Sequence, residues 1–140
     1  MDVAALADHY GLDPAALAGA PPGPVTVVNL FKLREVAAYP TGAAPAGASM
    51  GGSGLEAMLA YAAVSGDRLA AVGGRFLSQG LMVGALWGDD ELDWDLVVVA
   101  EYPDAAAVRA LLDDELYRDA YEHRRAAVER QRVVLSARLG

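Results

Sequence analysis

Two adjacent residues, His123 and Arg124, carry the strongest chemical signal in the chain. An imidazole exchanges protons near neutral pH, and a guanidinium keeps its charge at any accessible pH. They lie in "ELYRDAYEHRRAAVERQR", Glu115 to Arg132. Within it Tyr117, Ala120, Tyr121, Arg124 and Val128 fall at i, i+3, i+4, i+7 and i+11, the spacing of one buried helical stripe. Arg124 therefore sits inside the stripe, and His123 at its margin, in line with Leu116, Ala120 and Ala127. A buried guanidinium demands a carboxylate, several carbonyls or an anionic ligand. Asp95 and Glu101 are the candidate structural partners, unless the side chain reaches out to water. In the functional reading His123 is a general base, while Arg124 and Asn29 stabilise a developing oxyanion.

Asn29 shares a strand face with Val27 and Phe31, and Lys32 shares the other with Val28 and Leu30. Asn29 could donate to a ligand carbonyl or enolate. Lys32 could hold a carboxylate or simply reach solvent. Arg75 and Gln79 alternate on a later strand and raise the same choice. Tyr61, Trp87 and Trp94 would form an aromatic wall for a planar ligand, joined by Tyr117 and Tyr121, or would pack in the core or an interface. His9 reads as a solvated helix residue too far along the chain from His123 to make a metal motif. The acidic run "DDELDWD" lacks the spacing of a calcium loop, so no metal is expected. "GGR" lacks the signature of a phosphate loop, and "SGDR" lacks the elbow and triad of a serine hydrolase. No cofactor is expected.

Composition narrows the classes further. The chain has 140 residues, enough for one domain with a sizeable core. Its net charge of −8 opposes attraction to nucleic acid or an anionic membrane surface. The absence of cysteine excludes disulfides, thiol nucleophiles and thiolate-bound metals. No apolar run approaches the ~20 residues of a membrane span, and "MDVAALADHYG" is unlike a signal peptide, so a cytoplasmic location is expected.

The elements that must position these residues follow from pattern. Residues 2–24 read as a helical arm, broken at Gly11 and resumed at "LDPAALAG", where Asp13 caps a helix opened by Pro14. The domain then runs from 25 to 140. "VTVVNLFKL" is apolar on both faces, as a central strand requires. Residues 40–54, rich in glycine, alanine and proline, suggest a mobile loop that could serve as a lid. Ser53 and Glu56 have capping-box spacing and open a helix that is irregular near 65–67 and ends at Gly73-Gly74. "RFLSQGLMV" is a second strand and Trp94 to Tyr102 a third. Asp104 caps a helix that Asp113-Asp114 restarts, and "RVVLSARL" is a fourth strand. The order β-α-β-β-α-β predicts an α+β, ferredoxin-like sheet with helices on one face. Its bare face predicts a homodimer.

"PVTVVNLFKLRE", "SGLEAMLAYA", "VGGRFLSQG", "WDLVVVAEYPD" and "ELYRDAYEHRRAAVERQRVV" together resemble an uncharacterised family of the dimeric α/β-barrel superfamily. The resemblance covers nearly the whole chain, including "YGLDPAAL" in the arm. It implies a two-fold barrel with a pocket between each protomer's sheet and helices, and it implies no particular activity. Superfamily members include cofactor-free monooxygenases, polyketide cyclases, muconolactone isomerase, chlorite dismutase-like proteins and haem-degrading enzymes. In the last group a first-strand asparagine and a last-helix histidine cooperate at iron. Asn29 matches the former, but Tyr121 falls where the histidine should stand, and His123 is about 200° further round the helix. The expected ligand is therefore a small apolar or carbonyl-bearing molecule, handled by isomerase, cyclase or oxygenase-type proton transfer. The alternatives are a noncatalytic binding or assembly module or, more remotely, a haem-degrading monooxygenase.

Overall fold

The computed structural model describes residues 1–40, 52–88 and 93–139. The arm forms two helices, α1 (Val3–Tyr10) and α2 (Pro14–Gly19), capped by Asp2 and Asp13. Gly11 closes α1 at φ 69°, a left-handed turn that glycine adopts without strain. Leu6 and Tyr10 are buried, so α1 is docked, whereas α2 buries no residue.

Four strands follow: β1 (Val25–Leu33), β2 (Arg75–Leu81), β3 (Leu96–Tyr102) and β4 (Val128–Ala137). They form one antiparallel sheet in the order β2-β3-β1-β4. Between them lie α3 (Gly54–Ala71), α4 (Ala105–Asp113) and α5 (Glu115–Ala127). This is the ferredoxin-like arrangement, preceded by the arm. Its core is sealed from the helix side, where Val25 and Phe31 of β1 and Ala100 and Tyr102 of β3 are buried.

Local chemistry fixes the ends of these elements. Ser53 accepts from the Glu56 backbone at 3.0 Å, and the Glu56 carboxylate takes the Ser53 N–H at 3.4 Å, completing the capping box. A Cβ on Gly54 would stand 2.1 Å from the Arg34 carbonyl, so only glycine lets α3 start against the end of β1. The expected irregularity at 65–67 is absent, because Ser65 is buried within a continuous helix. Asp114 caps α5 and also holds Arg68 through Nε and Nη2, joining α3 to the α4–α5 junction.

Three boundaries differ from the sequence pattern. β2 stops at Leu81; Met82 N–H still reaches the Asp95 carbonyl at 2.9 Å, but the chain has left the ladder. β3 begins at Leu96 rather than Trp94. β4 begins at Val128, four residues before Arg132, because Val128 is extended (φ −101°, ψ 120°) and pairs with Leu33. Val128 therefore does not continue the helical stripe. The expected lid at 40–54 falls mostly on residues 41–51, outside the described residues, as do residues 89–92 of the acidic run.

On the sheet face opposite the helices, Val28 lies between Val99 and Val134, and Leu30 beside Val97. At the last residue of β2 and just beyond it, Leu81, Val83, Leu86 and Trp87 are 77%, 102%, 89% and 89% exposed. Among the described residues no helix is long and apolar enough to cross a membrane.

Candidate functional site

Between sheet and helices lies a cavity of about 690 Å³, roofed by α3, α5 and the arm and floored by the sheet. The alternation of β1 aims Val27, Asn29 and Phe31 into it, and the period of α5 does the same for Tyr117, Tyr121 and Arg124. Its walls are otherwise largely leucine, valine and methionine.

Arg124 is 8% exposed, yet none of its partners among the described residues is a carboxylate. Gln131 Oε1 accepts from Nε at 3.1 Å and from Nη2 at 2.8 Å. Nη2 also approaches Asn29 Oδ1 at 3.5 Å, and Nη1 donates to the Tyr61 hydroxyl at 3.2 Å. Phe31, Tyr121 and Tyr61 present ring faces to the guanidinium at 4.7, 5.0 and 5.6 Å. The expected carboxylates are engaged elsewhere. Asp95 accepts from Lys32 and from the Leu33 backbone, and Glu101 accepts from Arg75 and Arg138.

Magnitudes show what this leaves. Burial of an ion costs several kcal/mol even after relaxation. Ring faces return about 1–2 kcal/mol each when desolvated, and hydrogen bonds to a charged donor about 1.5–3 kcal/mol. These contacts support the cation without cancelling its charge. Burial opposes the charge on Arg124, the hydrogen bond to the Tyr61 hydroxyl favours it, and the guanidinium stays ionised. Burial pushes the Tyr10, Tyr102 and Tyr117 phenols well above their usual range, so each supplies a hydroxyl and no negative charge.

Two donors remain. The contacts above engage four of the five guanidinium N–H groups, leaving one on Nη1 without an acceptor among the described residues. Tyr61 and Tyr117 share a hydroxyl contact of 2.8 Å, and one proton of that pair is likewise unclaimed. Both residues line the cavity. A fixed positive charge with two free donors suits an oxyanion.

Of the residues singled out by sequence, Asn29, Tyr61, Gln79, Tyr117, Tyr121 and Arg124 line this cavity. The others do not. His123 is turned away from it, with Nδ1 2.6 Å from the Tyr39 hydroxyl. One residue's step along a helix is 100°, which carries His123 off the face Arg124 occupies. Lys32 projects from the opposite sheet face to Asp93 at 2.9 Å and Asp95 at 3.3 Å. Arg75 is an exposed partner of Glu101. Trp94 packs under the guanidinium groups of Arg130 and Arg132, and Trp87 is exposed, so no tryptophan wall faces the cavity. Gln131 and Phe31 complete the arginine's surroundings, and the sequence pattern did not single out either as a site residue.

The haem arrangement does not fit these residues, since His123 lies outside the cavity and the Tyr121 hydroxyl takes a hydrogen bond from Gln131 at 3.4 Å. Among the described residues, no three His, Asp or Glu side chains cluster as a metal site would require.

No curated protein matches the chain. Two crystal structures of one protein of unknown function from Rhodopseudomonas palustris, one of them of the methylated form, are 34% and 33% identical to it. They superpose with TM-scores of 0.78 and 0.77, covering 100% of this chain and 93% and 95% of those chains. A dabb family protein with a ferredoxin-like fold from Mesorhizobium loti is 16% identical, with a TM-score of 0.53 over 84% of this chain and 99% of that one, a likeness of fold. A family model described as a domain of unknown function, DUF1330, matches residues 53–137. That span runs from the α3 cap through the end of β4 and includes Tyr61, Arg124 and Gln131, so the chain belongs to the DUF1330 family.

Proposed function

We propose that this protein binds a small organic oxyanion with a largely apolar body in the cavity between its sheet and helices. The observation that carries the reading is Arg124, a buried guanidinium facing an apolar cavity and paired with no carboxylate among the described residues. Arg124 supplies the charge, and Asn29 and Gln131 orient it. The Tyr61–Tyr117 pair adds a neutral donor, and the apolar walls exclude water and strengthen the attraction. Catalysis, if the bound molecule reacts, would draw on the same groups to stabilise an enolate or similar oxyanion.

The active form is a homodimer formed across the outer sheet face. Val28, Leu30, Val97, Val99 and Val134 form a contiguous apolar patch there. A second copy is the self-complementary way to cover such a face.

Isothermal titration of the full chain with decanoate and with decanol tests the ligand reading. Decanoate should bind at least tenfold tighter, and Arg124→Met should remove the difference. Equal affinities in the wild-type protein would overturn the proposal.

A further inference from the structure

Where Arg124 sits along the cavity carries more information than its charge. Resting on the reading above, we infer that the ligand bears its oxyanion in the middle of an apolar body, as the enolate of a 1,3-dicarbonyl compound with an apolar group on each side does.

Two independent rulers give the cavity's length. On α3 both Leu55 and Leu69 line it, and the fourteen-residue separation spans about 21 Å at helical rise. On β3 both Leu96 and Tyr102 line it, about 20 Å apart at strand rise. The volume of about 690 Å³ over that length leaves a mean width near 6 Å. The cavity is therefore a slot suited to a single chain or a ring seen edge-on.

The charged cluster lies inside the slot rather than at an end. Tyr61, which accepts from Arg124, is about 9 Å from Leu55 and about 12 Å from Leu69 along α3. Asn29 donates to the Val98 carbonyl at 3.1 Å, and Val98 is about 7 Å from Leu96 and about 13 Å from Tyr102. Phe31 and Gln131, which also hold the guanidinium, are in register with Leu96, so the charge lies toward that side of the slot, between a shorter and a longer apolar part. The shorter part is walled by Leu55, Met58, Leu81 and Leu96, and the longer by Leu69, Val108, Leu111 and Leu112.

A terminal carboxylate paired with Arg124 fills one part and leaves the other empty. A mid-chain enolate fills both, and its two oxygens meet the free Nη1 donor and the free tyrosine proton. No internal base is needed, because the acidic enol loses its proton to bulk solvent on binding. The ionisable groups facing this point are Tyr61 from α3 and Tyr117, Tyr121 and Arg124 from α5, with Tyr10 and Tyr102 further along. Asp13, the acid lining the cavity, belongs to the exposed α2 cap.

Titration with three thirteen-carbon probes tests the inference: tridecane-6,8-dione, tridecanoate and tridecan-7-one. The diketone should bind at least tenfold tighter than tridecanoate. Its near-ultraviolet enolate absorption should appear at least one pH unit lower when bound than in buffer, and Gln131→Glu should abolish that shift. Equal or tighter binding of tridecanoate would overturn the mid-chain inference and leave the oxyanion reading standing. Binding of the uncharged monoketone as tightly as both others would overturn the oxyanion reading itself.

Discussion

Gln131 Oε1 accepts two hydrogen bonds from Arg124, at 3.1 Å from Nε and 2.8 Å from Nη2, in the place where a carboxylate would ordinarily stand. That substitution of amide for acid keeps the guanidinium oriented while leaving its charge available to a ligand. Gln131→Glu restores the acid with almost no change of shape and gives the bidentate pair that arginine favours. The variant should fold, melt at or above the wild-type temperature, and bind decanoate at least tenfold more weakly. A variant that keeps wild-type affinity would remove Arg124 from the binding site.

Arg124→Met tests the same point through stability. Removing one member of a buried ion pair costs about 3–5 kcal/mol, because the partner's charge is stranded. Here no carboxylate is stranded, Asn29 keeps its bond to the Val98 carbonyl, and a linear apolar side chain occupies the stem's path. The change in unfolding free energy should stay within about 1.5 kcal/mol, the range of volume-conserving core swaps. A loss of 3 kcal/mol or more in urea denaturation would reveal an internal partner for the charge.

The buried stripe on α5 was legible because its period of 3.6 runs through Tyr117, Ala120, Tyr121 and Arg124 with no ambiguity. The capping box at Ser53 and the restart at Asp114 were legible because each is a contact between near neighbours in sequence. The start of β4 was not, since Ala126-Ala127-Val128 satisfies helix and strand equally and the deciding pair, Leu33 with Val128, is distant in sequence. Missing that boundary concealed Gln131. His123 failed for a related reason: the segment after β1 folds back so that Ala38 N–H reaches the Ala126 carbonyl, bringing Tyr39 to the imidazole. Adjacency to Arg124 in sequence says nothing about that return.

The arm should behave as part of the domain. Leu6 is 1% exposed, the Tyr10 hydroxyl donates to the Leu112 carbonyl, and Arg125 donates to the His9 carbonyl. Leu6→Ala should cost about 2–5 kcal/mol by lost burial and residual cavity. Chemical denaturation followed by tyrosine fluorescence should show one transition moved to lower denaturant. An unchanged midpoint would mean that the arm is dispensable to the fold.

Acid should weaken the protein in two steps. Burial holds the His123 imidazole below its ordinary value of 6.5, so the unfolded chain takes up that proton at higher pH than the folded chain does. The stability this group contributes is full above 6.5 and is lost as pH falls through the lower folded value. Hydrogen bonds from Arg68 hold Asp114, and those from Arg75 and Arg138 hold Glu101, below the usual carboxylate range; their contribution is lost only below about pH 4. Melting temperature against pH should therefore decline first below about 6.5 and again below about 4. His123→Gln should flatten the first decline alone, and an unaltered profile in that variant would show that His123 is not its source.

The outer sheet face gives the last prediction. Val99 pairs with Val28 near the centre of that face, on the side of β3 away from the cavity. A carboxylate there faces solvent in a lone protomer and is forced into an apolar contact in a two-fold pair, where an unpaired charge costs several kcal/mol per copy. Val99→Asp should thus convert a dimer into a monomer in sedimentation equilibrium at micromolar concentration. Because the cavity lies on the opposite face and is built from one chain, decanoate should still depend on Arg124 in the monomer. A wild-type protein that sediments as a monomer would refute the pairing, and a Val99→Asp dimer would place the contact on another surface.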